Sequence, residues 1–320
     1  MQSWVDGRPA NALASLKDRG LAYGDGLFET IAVKAGKPLL LDLHLQRLAL
    51  GCTRLAIAAD MSLIRSELLA YGDGLFETIA VKAGQPLLLE LHLQRLAQGC
   101  SRLVIAADQS LIRSELLAYA QAMGEGVLKL ILTRGDSLRG YGASPEAKPR
   151  RILQASPAAA YPDAYAQQGI ALFDCATRLA EQPLLAGLKH LNRLEQVIAR
   201  SEWQDPAYAE GLMRDTSGRV IEGVFSNLFM VRDGVLMTAD LHRCGVAGVM
   251  RAALLAEAVR LAIPCQVTDI SLAQLLQADE LFLCNSVYGV WPVRAFADLS
   301  WPVGPLTRKL QGIARTLLDV

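Results

Sequence analysis

Two residues 33 positions apart, Lys189 and Glu222, carry the most chemical information in this 320-residue chain. Lys189 lies in Leu188-Lys189-His190-Leu191-Asn192-Arg193-Leu194-Glu195-Gln196, and Glu222 opens Glu222-Gly223-Val224-Phe225-Ser226-Asn227-Leu228-Phe229. A lysine that bonds covalently to a carbonyl must reach it as the neutral amine. It therefore needs a partly desolvated place with cationic or polar neighbours that lower its pKa. His190 and Arg193 are such neighbours in sequence. A carboxylate opposite a basic ring nitrogen holds that nitrogen protonated, so the ring can take up electrons from a bond breaking at an attached carbon. Singly, a lysine and a glutamate are ordinary solvated charges; the wording of both flanking segments argues for more.

Both segments resemble the signature of the fold-type IV pyridoxal-phosphate enzymes. The run Lys189-His190-Leu191-Asn192-Arg193-Leu194-Glu195 is most similar to the aminodeoxychorismate lyase branch, which releases 4-aminobenzoate and pyruvate for folate synthesis. The resemblance implies two α/β domains (α+β in detail) with pyridoxal 5'-phosphate in the cleft between them, and a cytoplasmic homodimer. It also implies that Lys189 is the catalytic residue carrying the cofactor as a Schiff base, and that Glu222, with Asn227 nearby, faces the pyridine nitrogen. The family's phosphate arginine lies in a His-x-x-Arg-Leu segment, which occurs twice here, at His44 to Leu48 with Arg47 and at His92 to Leu96 with Arg95. A guanidinium suits phosphate through paired, charge-assisted hydrogen bonds. Further phosphate contacts implied are Gly248 and Val249, where free N–H groups at a helix start make an anion site, and the pair Asn285-Ser286. The glycine-rich loop Arg134-Gly135-Asp136-Ser137-Leu138-Arg139-Gly140-Tyr141 is similar to a lyase loop, so Arg134, Arg139 and Tyr141 are candidates for a substrate with two carboxylates. Branched-chain aminotransferases of this fold carry a tyrosine five residues after the lysine, where this chain has Leu194. That disfavours such an aminotransferase. A D-amino-acid aminotransferase, or an inactive chain that merely retains a duplication, stays open.

The duplication is plain in the sequence. Leu21 to Leu68 recurs as Leu69 to Leu116, a period of 48 residues with six differences: Lys37/Gln85, Asp42/Glu90, Leu50/Gln98, Thr53/Ser101, Ala56/Val104 and Met61/Gln109. Repeat architectures stack three or more units, so two near-identical copies point to a tandem duplication; taking 48 residues from 320 leaves 272. Copy 2 is expected to fill the native position, with Arg95 meeting the phosphate. Its second helix runs on through Leu117-Ala118-Tyr119-Ala120-Gln121-Ala122-Met123, whereas copy 1 meets Tyr71-Gly72-Asp73-Gly74, and glycine in a helix costs about 1 kcal/mol per residue. Copy 1 keeps the preceding Lys17-Asp18-Arg19-Gly20, so a hybrid of both copies is the alternative.

The elements that must position these residues follow from pattern. Ser3 to Pro9 reads as a short strand with an Asp-Gly turn. Each copy reads as a strand through Leu-Phe-Glu-Thr-Ile-Ala-Val-Lys, an Ala-Gly turn and a second strand over Pro-Leu-Leu-Leu. A helix then starts at the histidine, and a further one at an Asp-x-Ser cap, Asp60 or Asp108. Val127 to Leu132 is another strand, completing an antiparallel α+β pattern. Ala155 to Tyr165, rich in Ala and Pro, marks the boundary between domains at 1–158 and 159–320. Beyond it, strands begin at Gly169, helices are expected over about 191–201 and 248–261, and Leu281 to Asn285 reads as a buried strand.

Lys and Arg total 32, as do Asp and Glu, so no general electrostatic field draws the chain to nucleic acid. No run of about 18 apolar residues predicts a membrane span, and the start does not resemble a signal peptide. The six cysteines include no Cys-x-x-Cys pair and read as reduced, mostly buried thiols. The four histidines have no metal-ligand spacing, so no metal is expected.

Overall fold

The computed structural model describes residues 3–5, 8–10, 26–27, 33–34, 37–38, 40–55, 72–135, 142 and 147–319. The chain divides into two units, residues 1–73 with 191–194, and residues 74–190 with 195–320.

In the second unit, copy 2 supplies the first two strands of a four-stranded antiparallel sheet in the order Gln85–Pro86, Gly74–Lys82, Gly126–Thr133, Arg150–Ser156. Gly74–Lys82 pairs along its length with Gly126–Thr133, from Gly74 opposite Thr133 to Val81 opposite Gly126. Ala83 and Gly84 reverse the chain with φ of 50° and 75°, the positive values that a two-residue hairpin turn requires. The second strand is shorter than its sequence predicts. Pro86 cannot donate to a ladder, Leu88 turns left-handed at φ 53°, and the helix Leu89–Leu103 begins three residues before His92. The next helix, Gln109–Met123, is capped by Asp108, whose carboxylate accepts from the N–H groups of Ser110 and Leu111. Leu93, Leu96, Ile112 and Leu116 of these helices close over Leu75, Ile79, Leu128 and Leu130 of the sheet.

Copy 1 lies in the first unit and repeats the local geometry of copy 2. Val33–Lys34 pairs antiparallel with Lys37–Pro38, Leu40 takes the φ of 53° seen at Leu88, and Leu41–Arg54 is helical. Its second-helix cap, Asp60, and the segment Lys17 to Gly20 lie outside the described residues. In the same unit Ser3–Val5 pairs with Arg8–Ala10, and Asn192 Nδ2 donates to Gly72 O at 3.0 Å. Of the six positions at which the copies differ, Gln85, Glu90, Gln98, Ser101 and Val104 are exposed in copy 2 and Gln109 is partly so. Every buried position of copy 2 thus has the same residue in copy 1.

Residues 170–300 form a ten-stranded mixed sheet, ordered Cys265–Thr268, Val235–Ala239, Asn227–Arg232, Glu280–Asn285, Gly289–Phe296, Ile170–Leu179, Tyr208–Asp215, Arg219–Gly223, Ile270–Ser271, with Leu299–Ser300 on Gly289–Phe296. Glu222 pairs with Asn227 and so closes six of these strands into a ring. Leu172, Leu212, Val220, Leu228, Leu283 and Trp291 share one core, while the helices Val249–Arg260 and Pro305–Leu317 cover Phe229, Phe282 and Val290 in another. All six cysteines are free, and no described helix is long and apolar enough to cross a membrane.

Candidate active site

Lys189 is carried by an extended segment laid against the strand Gly74–Lys82. The Phe76 N–H donates to Lys189 O at 2.9 Å, and Leu75 bridges His190. The half-buried lysine side chain stands over the Phe76 ring, with Nζ 4.3 Å from its centroid. The ring sets an apolar face against the amine and restricts water on that side. Leu188, fully within the small-sheet core, anchors the segment.

Glu222 and Asn227 stand at the two ends of the turn Gly223-Val224-Phe225-Ser226, directly opposite each other in the sheet. Both are buried. Glu222 Oε2 accepts from Val246 N at 2.9 Å and from Asn227 Nδ2 at 3.3 Å, and the same Asn227 amide donates to Val246 O at 2.8 Å. The carboxylate is thereby fixed against the loop Gly245-Val246-Ala247-Gly248. Gly248 has to be glycine for a steric reason: a Cβ there would meet Asn227 Oδ1 at 1.9 Å. No side chain caps the helix Val249–Arg260 that follows, so its first N–H groups remain available to an anion.

Arg95 reaches that same loop from the helix Leu89–Leu103. Its Nη1 donates to Ala247 O at 3.1 Å, while Nε donates to Glu77 Oε1 at 2.9 Å and Nη2 bonds Glu77 Oε2. Glu77 is 2% exposed, and His92 Nδ1 donates to its Oε2 at 2.6 Å. Burial would raise the Glu77 carboxyl, but the Arg95 charge and the hydrogen bonds from His92 and Arg95 outweigh it and hold its pKa at about 2. Burial also pushes His92 down despite Glu77. The result is a neutral imidazole and an ionised carboxylate locking a guanidinium beside a helix N-terminus. Arg47, the equivalent in copy 1, is an exposed residue of the first unit.

The remaining sequence candidates divide. Asn285 Oδ1 accepts from the N–H groups of Val287 and Tyr288 at 3.0 and 2.9 Å, its amide approaches Phe225 O at 3.4 Å, and Ser286 Oγ donates to Thr78 O at 3.3 Å. Arg134 donates to Val104 O and Leu103 O at 2.7 and 2.8 Å, so its charge sits on the C-terminal carbonyls of the helix Leu89–Leu103. Arg139 and Tyr141 lie outside the described residues.

Three residues of this region were not singled out from sequence. Phe76 and Glu77 stand in a strand whose alternation marks them only as inward or outward, and the partners of Glu77 come from a helix 15 and 18 residues later. Glu210 is fully buried beneath the Gly223–Ser226 turn, and burial drives its carboxyl up to about 7 against hydrogen bonds from Ser226, Gly211, Phe225 and Val224. The signal for it was a lone acid in the otherwise uncharged stretch Tyr208 to Met213.

Comparison with known proteins bears on this geometry. A crystal structure of 4-amino-4-deoxychorismate lyase from Pseudomonas aeruginosa is 53% identical, covers 99% of each chain and superposes with a TM-score of 0.78. Aminodeoxychorismate lyase from Vibrio harveyi is 39% identical over 193 residues, 59% of this chain and 71% of that protein. Branched-chain amino acid aminotransferase from Escherichia coli is 25% identical in structure, covering 80% of this chain and 90% of the other with a TM-score of 0.68. The family model for amino-transferase class IV matches residues 74–296, which begins at the first strand of copy 2 and takes in Arg95, Lys189, Glu222 and Gly248. The chain belongs to the amino-transferase class IV family and has its fold-type IV architecture.

Proposed function

We propose that this chain is a pyridoxal-phosphate-dependent lyase that converts 4-amino-4-deoxychorismate to 4-aminobenzoate and pyruvate, and that it works as a homodimer. The observation that carries the reading is the 53% identity to the Pseudomonas aeruginosa lyase over 99% of both chains. The residues present suit the cofactor. Arg95 and the uncapped start of the helix Val249–Arg260 meet at Ala247 and Gly248, which supplies a cation and free N–H groups for a phosphate. Glu222 offers a buried, oriented carboxylate for a ring nitrogen, and Lys189 offers the amine for a carbonyl. When bound, pyridoxal phosphate supplies a carbonyl for the substrate's amine and a ring that accepts electrons from its amine-bearing carbon.

The chain's own groups account for the remainder. Lys189 Nζ takes the proton from the amine-bearing carbon and returns a proton to the departing enol carbon. Glu222, held by Val246 N and Asn227 Nδ2, keeps the ring nitrogen protonated. Gly248, lacking a Cβ, lets the loop close on Asn227. Arg139 and Tyr141, in the glycine-rich segment that follows Arg134 in sequence, bind the substrate's carboxylates. Expulsion of enolpyruvate leaves an aromatic ring, which drives the elimination. Transamination of a D- or branched-chain amino acid is the second reading; the branched-chain form is supported by the likeness to the Escherichia coli aminotransferase and opposed by Leu194, which does not bear on the D-amino-acid form. Purified protein supplied with aminodeoxychorismate should yield 4-aminobenzoate. Pyruvate plus glutamate from D-alanine and 2-oxoglutarate, with no 4-aminobenzoate, would overturn the proposal. Lys189→Ala should abolish both product and the visible absorption of the bound cofactor; a surviving band that borohydride can trap on the protein would remove Lys189 from its role.

A further inference from the structure

We propose that Glu210 is a positioning residue for the ring-nitrogen carboxylate: it touches neither cofactor nor substrate, but holds the turn that sets Glu222 and Asn227 in place. The inference rests on the reading of Glu222 given above. Glu210 is 0% exposed. Its Oε1 accepts from Gly211 N at 2.9 Å and Val224 N at 3.0 Å, and its Oε2 accepts from Phe225 N at 3.2 Å and Ser226 Oγ at 2.5 Å. Three of these four donors belong to the single turn that joins Glu222 to Asn227, and Gly223 N closes the turn on Ser226 O at 2.7 Å.

The packing is as tight as the bonding. A Cβ on Gly223 would lie 2.5 Å from Ser226 Oγ and 2.9 Å from Glu210 Oε2, so the backbone of the turn rests on the carboxylate itself. Nothing apolar could replace it cheaply, because three N–H groups and a hydroxyl would lose their acceptor in a buried place. A turn released at that point frees both of its ends. Those ends are Glu222, whose Oε2 meets Val246 N, and Asn227, whose amide bridges Glu222 and Val246 O. The strand Tyr208–Asp215 adds a second hold, since Leu212 and Met213 pair with Gly223 and Glu222. Glu210 therefore sets the aim of Glu222, while the sheet sets its height.

Glu210→Gln keeps size and removes charge; its amide puts donors where two of the four donors now point. The test uses the cofactor-loaded protein, with Ser226→Ala as a milder variant that removes one donor and keeps the fold. Per molecule of bound cofactor, Glu210→Gln should shift the visible band in the same direction as Glu222→Gln. It should lower kcat by between about tenfold and a hundredfold, the scale of a small misplacement of a reacting group, with KM within about twofold. The double variant Glu210→Gln/Glu222→Gln should be no slower than Glu222→Gln alone. In the cofactor-free protein, the amides of Val224 and Phe225 should exchange with solvent faster in Glu210→Gln and in Ser226→Ala. If the variants lose only thermal stability or bound cofactor, with band position and kcat per bound cofactor unchanged, the positioning role is wrong. The band and exchange measurements need no substrate, so they stand even if the lyase reaction does not.

Discussion

Replacing Arg95 by alanine should do two separable kinds of damage, and replacing Arg47 should do neither. Arg95 is the counter-ion of Glu77, which is 2% exposed and bonded also to His92. Removing one partner of a buried ion pair strands the other charge and costs about 3–5 kcal/mol. At roughly 1.5 °C per kcal/mol for a chain of this length, the melting temperature should fall by about 4–8 °C. The sign with pH follows from Glu77, whose carboxyl is depressed from 4.5 to about 2. Its stabilisation is present in full above pH 4.5 and is lost as pH falls from 4.5 towards 2, and at 1.36 kcal/mol per unit it amounts to about 3 kcal/mol. The gap in stability between wild type and Arg95→Ala should therefore be largest near neutrality and should narrow below pH 4.5. Glu77→Gln added to Arg95→Ala should recover part of the melting temperature, because no charge is then stranded, while cofactor affinity stays low. Arg47 is exposed, and its alanine variant should stay within about 0.5 kcal/mol of wild type. Thermal melts from pH 3 to 8, with cofactor titration followed by visible absorbance, measure both effects. Loss of cofactor in Arg47→Ala but not in Arg95→Ala would refute the choice of copy 2.

Two further variants probe the loop and the carboxylate. Gly248→Ala has an allowed backbone at φ −66° but drives a methyl to 1.9 Å from Asn227 Oδ1, so the amide must swing away from Val246 O and Glu222. Overpacking of this kind costs about 1–3 kcal/mol, and cofactor titration should show affinity about tenfold weaker or worse; affinity within about twofold would show that Asn227 adapts freely. Glu222→Gln should leave the cofactor bound and slow turnover by about a hundredfold or more, because a neutral amide no longer favours a protonated ring nitrogen; near wild-type kcat would end the electron-sink assignment.

Lys189 and Glu222 stood out as candidates because each stands in a run of neighbours whose wording is shared with a family, and local wording survives without any knowledge of the fold. The same holds for Asp108, whose cap is a matter of three adjacent residues, and for the uninterrupted helix through Met123. The extended reading of Leu87 to Leu89 failed because alternation and length do not reveal a leucine in left-handed conformation, although both copies adopt it. The Glu77 clasp on Arg95 joins a strand to a helix, and nothing in a one-dimensional pattern states which face of one meets which face of the other. Arg134 read as a loop cation free to meet a carboxylate, yet it sits on Leu103 O and Val104 O, acceptors that exist only once the helix has formed. Glu210 showed in sequence only as an acid among uncharged residues, and its role was hidden for the same reason: its partners are the amides and hydroxyl of a turn that exists only in the closed ring of strands.

The placement of the six substitutions bears on how such a chain changes by copying errors. Because the repeats adjoin and differ only at positions that are exposed or half-exposed in copy 2, loss of any block of 48 residues beginning between Leu21 and Leu69 leaves the residues buried in copy 2 unchanged and in the same order. A replication slip can therefore revert the duplication at any point along its length, and every product inherits an unaltered core. Products of different slips differ only in which surface variants they keep, so reversion yields a small set of chains that are equivalent inside and distinguishable only where they meet water.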